Sequence, residues 1–170
     1  MIKEQQIQEF IEELTEGGLE AIKADGGVNP TLVFLIEKDG IAAHNGMFLP
    51  EEMMNSQAGK TFLAEYVIPK VKAGLIADGF NILTIAFISE VWKYQMPKGF
   101  NLDDTIEDDY KDKCEEKTEQ LSYTFHMEGK QVSYMYEMLR NTEEELIGFG
   151  EKQVMENSYE DVVGRFAKLF

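Results

Sequence analysis

The order of apolar and polar positions along the chain changes period several times, and each change marks an element. Ile7, Phe10, Ile11 and Leu14 fall at i, i+3, i+4 and i+7, with the glutamates outside that stripe, which predicts an amphipathic helix over residues 2–24. Gly17-Gly18 weakens its middle, at about 1 kcal/mol per glycine relative to alanine. Leu19 and Ile22 resume the stripe, so the pattern predicts one bent helix or two short ones, ended by Asp25-Gly26-Gly27. Residues 31–38 (Thr-Leu-Val-Phe-Leu-Ile-Glu-Lys) are apolar on both alternating faces, as in a strand covered on both sides. Asp39-Gly40 is a hairpin signal, because a type I′ turn needs positive φ at both central residues. That register places Ile36 opposite Ala43 and Leu35 opposite His44.

A second helix is expected over residues 57–79, with Phe62, Leu63, Tyr66, Val67, Val71 and Leu75 facing inward and a kink at Pro69. Residues 82–92 read as the most buried strand. Residues 94–116 hold Pro97, Gly99 and eight carboxylates between Asp103 and Glu116, and read as a polar acidic loop. Gln120–Met127 and Lys130–Leu139 form a second hairpin around Glu128-Gly129. A two-residue turn sets Phe125 against Val132, Tyr123 against Tyr134 and Leu121 against Tyr136; a three-residue loop would shift that register by one. Residues 144–156 are open between helix and irregular strand, and Ser158 caps a last helix whose apolar face is Val162, Val163, Phe166 and Leu169. The order α-β-β-α-β-β-β-(β)-α defines a single α+β domain over residues 1–170. Its largely antiparallel, mixed sheet has five to six strands, with N-terminal, central and C-terminal helices.

Charge narrows the functional classes. Asp and Glu number 32 against 16 Lys and Arg, a net charge of −16. The excess lies in residues 1–30 (−5), 94–119 (−5) and 141–161 (−6), and the rest of the chain is neutral. Clustered Lys and Arg are what phosphate binding requires, so nucleic acid and anionic membrane surfaces are not expected partners. A basic protein or peptide is, and so is a second copy of the chain. No apolar run approaches the roughly 20 residues of a membrane span, and the N-terminus lacks the apolar run of a signal peptide, so a cytoplasmic protein is expected.

Residues that could carry chemistry are few. The lone cysteine, Cys114, lies among Lys113, Glu115 and Glu116, and carboxylates raise a thiol pKa. His44 and His126 have no second ligand at metal spacing, and no glycine-rich phosphate loop or serine elbow is present. No cofactor and no metal is expected. Glu90 shares a strand face with Ile88 and Trp92, which places a carboxylate beside an indole and makes Glu90 and Trp92 candidate functional residues. His44, near a hairpin, is a candidate general base.

The strand end Phe87-Ile-Ser-Glu-Val-Trp92, the polar loop, the paired strands and the terminal Gly164-Arg-Phe166 resemble a loosely defined set of uncharacterised small bacterial and phage proteins. In those the strand ends Ser-Glu-Ala-Trp, where this chain has Val91. The resemblance covers about half the chain and implies no activity. A small acidic sheet flanked by helices is also similar in outline to the type III secretion chaperones, a likeness of fold alone. The sequence therefore points to a non-enzymatic, acidic protein-interaction module. The alternative is an enzyme of unknown class with a site near His44 or Glu90.

Overall fold

The computed structural model describes residues 2–95, 97–98 and 115–158. The N-terminal stripe folds as α1 (Ile2–Glu12) and α2 (Gly18–Asp25), joined by one wide π turn at Glu13–Gly17. Spacing explains the wide turn. Leu14 and Leu19 are five residues apart, which in an unbroken α-helix would set them about 140° apart around the axis. One extra residue in a single turn brings Leu19 back over the stripe. Phe10 and Ile11 are buried, and Ile7, Leu14, Leu19 and Ile22 pack against the same cluster. Thr15, inside the wide turn, is buried and donates its hydroxyl to the Ile11 carbonyl at 2.7 Å. Gly26, at φ +79°, ends α2 in the left-handed conformation.

The central helix uses the same device. A short helix, α3 (Glu51–Met54), which the pattern did not signal, precedes α4 (Gln57–Phe62), and the Ser56 hydroxyl caps α4 by accepting from Gly59 N–H. A π turn at Leu63–Val67 then leads into α5 (Ile68–Ala77). Leu63 and Ile68, again five residues apart, are the two most deeply buried positions of this stretch, and Ile68 N–H donates to the Leu63 carbonyl. Pro69, which has no N–H to offer the Glu65 carbonyl, follows directly, so the expected irregularity is an extra residue in the turn. The phase change corrects part of the expected inward face. Leu63, Val67, Val71 and Leu75 pack inward, whereas Phe62 and Tyr66 turn outward, 48% and 63% exposed, and stack at 5.7 Å.

The chain is an α+β protein. Its antiparallel strands run in the order β2 (Ile41–Phe48), β1 (Thr31–Lys38), β3 (Asn81–Gln95), β4 (Glu116–Met127), β5 (Lys130–Arg140) and β6 (Leu146–Phe149), with β7 (Gln153–Ser158) also on β5. The first hairpin has the expected register, with Asp39 at φ +54° and Gly40 at +80°. The second closes with two residues, and Phe125 faces Val132, Tyr123 faces Tyr134 and Leu121 faces Tyr136. Residues 144–156, open from the sequence, contain β6 and the start of β7. Residues 94–95 and 116 extend the sheet into what read as loop. Cys114, most of the acidic loop, the apolar face of the expected last helix and Gly164-Arg-Phe166 lie outside the described residues, while Ser158, expected to cap that helix, ends β7 opposite Lys130.

Helices cover both faces of β1. On one face α1 and α2 lie over Val33, Leu35, Ala86, Leu121, Tyr123 and Phe125. On the other, Leu63 and Ile68 lie over Leu32, Phe34 and Ile85. This explains why β1 is apolar on both sides.

Candidate functional site

A strand with one free side is set by the hairpin. β2 ends the sheet, and among the described residues only β1 pairs with it. Its sequence, Ile-Ala-Ala-His-Asn-Gly-Met-Phe, contains no charged residue and no proline, and its register with β1 is unbroken. Sheet edges are usually blunted by charge, proline, a bulge or short length. The opposite edge shows such features: β6 has four residues, and Glu156 of β7 pairs with Lys130 at 3.4 Å. β2 shows none of them, and Ile41 and Phe48 at its ends are 73% and 75% exposed.

A two-residue hairpin makes Lys38 and Ile41 a hydrogen-bonded pair, and the antiparallel ladder then alternates. The main-chain groups of Ala42, His44, Gly46 and Phe48 therefore point away from β1, into the open. The side chains at these positions lie on the face that carries α1 and α2. Ala42 packs against that face's core, and the His44 ring is 6.3 Å from Phe10.

Two hollows adjoin β2, one at Ala42–His44 and the other at its Phe48 end. The first, about 430 Å³, lies between α1 and the strand, with Glu9 and Glu13 on one wall and Ala42 and His44 on the other. The second, about 690 Å³, is bounded by the end of α2, the Gly26–Pro30 segment, Phe48 and α3, and it presents Asp25, Glu51 and Glu90. Carboxylates thus flank both halves of an uncharged strand.

Glu90 is held in place by the backbone. Its Oε1 accepts from Val28 N–H at 2.7 Å, and it occupies space left by Gly27, where a Cβ would collide with the same oxygen. The side chain is exposed, in mid-strand, and forms a wall of the larger hollow. Next to it, Arg140 binds Glu119 through two contacts, Nε to Oε2 at 2.6 Å and Nη2 to Oε1 at 2.8 Å. Arg140 Nη1 also donates to the carbonyls of Gly26 and Glu144. The hydrogen bonds from Arg140 hold the Glu119 carboxyl below the usual carboxylate range, against the opposing effect of burial. Glu90, Glu119 and Arg140 together anchor the Gly26–Pro30 segment to the sheet. Trp92 is half-exposed, with the Lys117 ammonium 3.8 Å above its ring.

The candidates read from the sequence do not converge. Leu35 pairs with both His44 and Thr84, and Glu90 is six residues further along β3, about 20 Å in the strand direction. His44 and Glu90 line different hollows. Among the described residues no group of three or more His, Cys, Asp or Glu is placed to hold a metal ion, and no helix is long and apolar enough to cross a membrane. Sequence reasoning missed the open edge of β2 and the Arg140 anchor. The uncharged run 41–48 beside a strong hairpin signal was the legible sign of the first. Nothing in the sequence near Arg140 marked the second. Compared with protein-family models, curated proteins and solved structures, the chain matches none.

Proposed function

We propose that this chain is a non-enzymatic, acidic interaction module of a bacterial or phage cytoplasm, which binds a basic protein or peptide. The observation that carries this reading is the pair of carboxylate-walled hollows near the two ends of an uncharged edge strand, one at Ala42–His44 and one at Phe48. In an anionic protein, two such walls attract cationic groups and steer their approach, and exposed charge of this kind acts mainly on encounter and specificity. The resemblance of Ser89-Glu-Val-Trp92 to small bacterial and phage proteins supports the setting and adds no activity.

The test is fluorescence anisotropy with a labelled peptide rich in lysine and arginine. Binding is expected to be saturable and to weaken as salt rises, since exposed charges are screened beyond about 10 Å at 0.1 M. The double variant Glu9→Lys/Glu13→Lys is expected to lower affinity about tenfold or more while melting like the parent. A labelled DNA duplex at physiological salt is the control that should not bind. Equal affinity of the charge-reversed and parent proteins, or no saturable binding of any basic peptide, would overturn the reading.

A further inference from the structure

The geometry of β2 points to a specific way of binding, and we propose that a basic, extended segment of a partner protein adds to its free edge as a further strand. This rests on the reading above and deepens it by naming the form and spacing of the ligand. In strand addition, main-chain hydrogen bonds supply affinity and pockets for alternate side chains supply specificity. Both are present here. The main-chain groups of Ala42, His44, Gly46 and Phe48 face outward on an uninterrupted strand without charge or proline. Side chains of an added strand that point to the α1/α2 face would enter the two hollows.

The spacing of the hollows specifies the ligand. One adjoins β2 at Ala42–His44 and the other at Phe48. From His44 to Phe48 is four residues, about 14 Å along a strand. Side chains at i and i+4 of an extended chain share a face and span that distance, whereas a residue at i+3 points to the other face. The segment recognised is therefore extended, with Lys or Arg at i and i+4. The first cation meets Glu9 and Glu13, and the second meets Asp25 and Glu51. A second copy of the chain fits this edge poorly. Two-fold pairing of β2 with itself would bring the acid-lined hollows of two molecules, each at −16, side by side.

The test again uses anisotropy, with three peptide comparisons and two protein variants. A peptide with lysines at i and i+4 is expected to bind about tenfold or more tightly than its i, i+3 isomer of equal charge. N-methylation of one alternate set of its amides should abolish binding, and methylation of the other set should spare it. In antiparallel addition the sensitive set includes the lysines' own amides, because same-face partners exchange hydrogen bonds. Gly46→Pro removes an outward N–H without touching the β1 ladder, and a Cβ there meets only ordinary contacts at 3.8 and 3.9 Å. It should lose binding while Gly46→Ala keeps it, with melting curves showing both folded. If basic peptides bind but both methylated sets bind equally and the isomers do not differ, strand addition is overturned and the acidic-module reading stands. If no basic peptide binds, both fall. If the peptides fail and the chain instead forms a dimer that Gly46→Pro abolishes, the occupant is a second copy and the proposal is overturned.

Discussion

Removing Arg140 tests how the larger hollow is held together. Its guanidinium makes two charge-assisted bonds to Glu119 and two further bonds to the carbonyls of Gly26 and Glu144, so one side chain joins β4, the end of β5, the segment after α2 and the turn before β6. An exposed ion pair contributes about 0–1 kcal/mol, and stripping one partner from a buried pair costs about 3–5 kcal/mol. Arg140 and Glu119 keep 27% and 15% of their side-chain exposure, between these limits. Arg140→Met is therefore expected to cost about 2–3 kcal/mol at pH 7. With a urea slope of about 2 kcal/mol/M, the midpoint falls by about 1–1.5 M. A double-mutant cycle with Glu119→Gln isolates the pair and should return a coupling of about 1.5 kcal/mol. Acid supplies the second half of the test. The Glu119 carboxyl is held below its ordinary value by Arg140, so the pair's stabilisation is full above the unfolded carboxyl pKa, about 4.3, and is lost as pH falls through the lower folded value. The cycle is run at pH 7 and again at the lowest pH where all four proteins remain folded. A coupling below about 0.5 kcal/mol at pH 7, or one that does not shrink in acid, would refute the argument.

Two further predictions concern packing. Phe125 is fully buried, with ring centroids 6.3 Å from Phe10 and 5.7 Å from Tyr134, so Phe125→Ala should cost about 3–5 kcal/mol in urea unfolding; a loss under about 1 kcal/mol would mean that α1 does not pack on this part of the sheet. Gly27→Ala drives a methyl into Glu90 Oε1, the far end of a flexible side chain, so the carboxylate should swing away and leave Val28 N–H without its acceptor, at about 1–2 kcal/mol. Melting that is unchanged by Gly27→Ala would show that Glu90 does not hold this segment.

The hydrophobic pattern by itself determined most of the fold, because the strongest signals are local. Asp39-Gly40 prescribed the first hairpin register to the residue, since few residue pairs accept positive φ twice in succession. The two-sided apolar run of β1 announced that helices would cover both faces. Tertiary structure decided what depends on phase and on distant partners. Residues spaced five apart, Leu14 with Leu19 and Leu63 with Ile68, share a face only because the sheet beneath draws the helix into a wide turn, and Phe62 and Tyr66 are turned outward as a result. Residues 146–149 and 153–156 became strand because the outer edge of β5 was there to pair with. The candidate site belongs to this second class. His44 and Glu90 were both candidates along the chain, but the sheet keeps them apart. Charge along the chain pointed to a basic partner, but only the placing of α1, α2 and α3 beside β2 brought Glu9, Glu13, Asp25 and Glu51 to the walls of two hollows. Periodicity along a chain reports which face of an element is buried, but which elements become neighbours, and which edge stays open, is set by contacts between residues far apart in sequence.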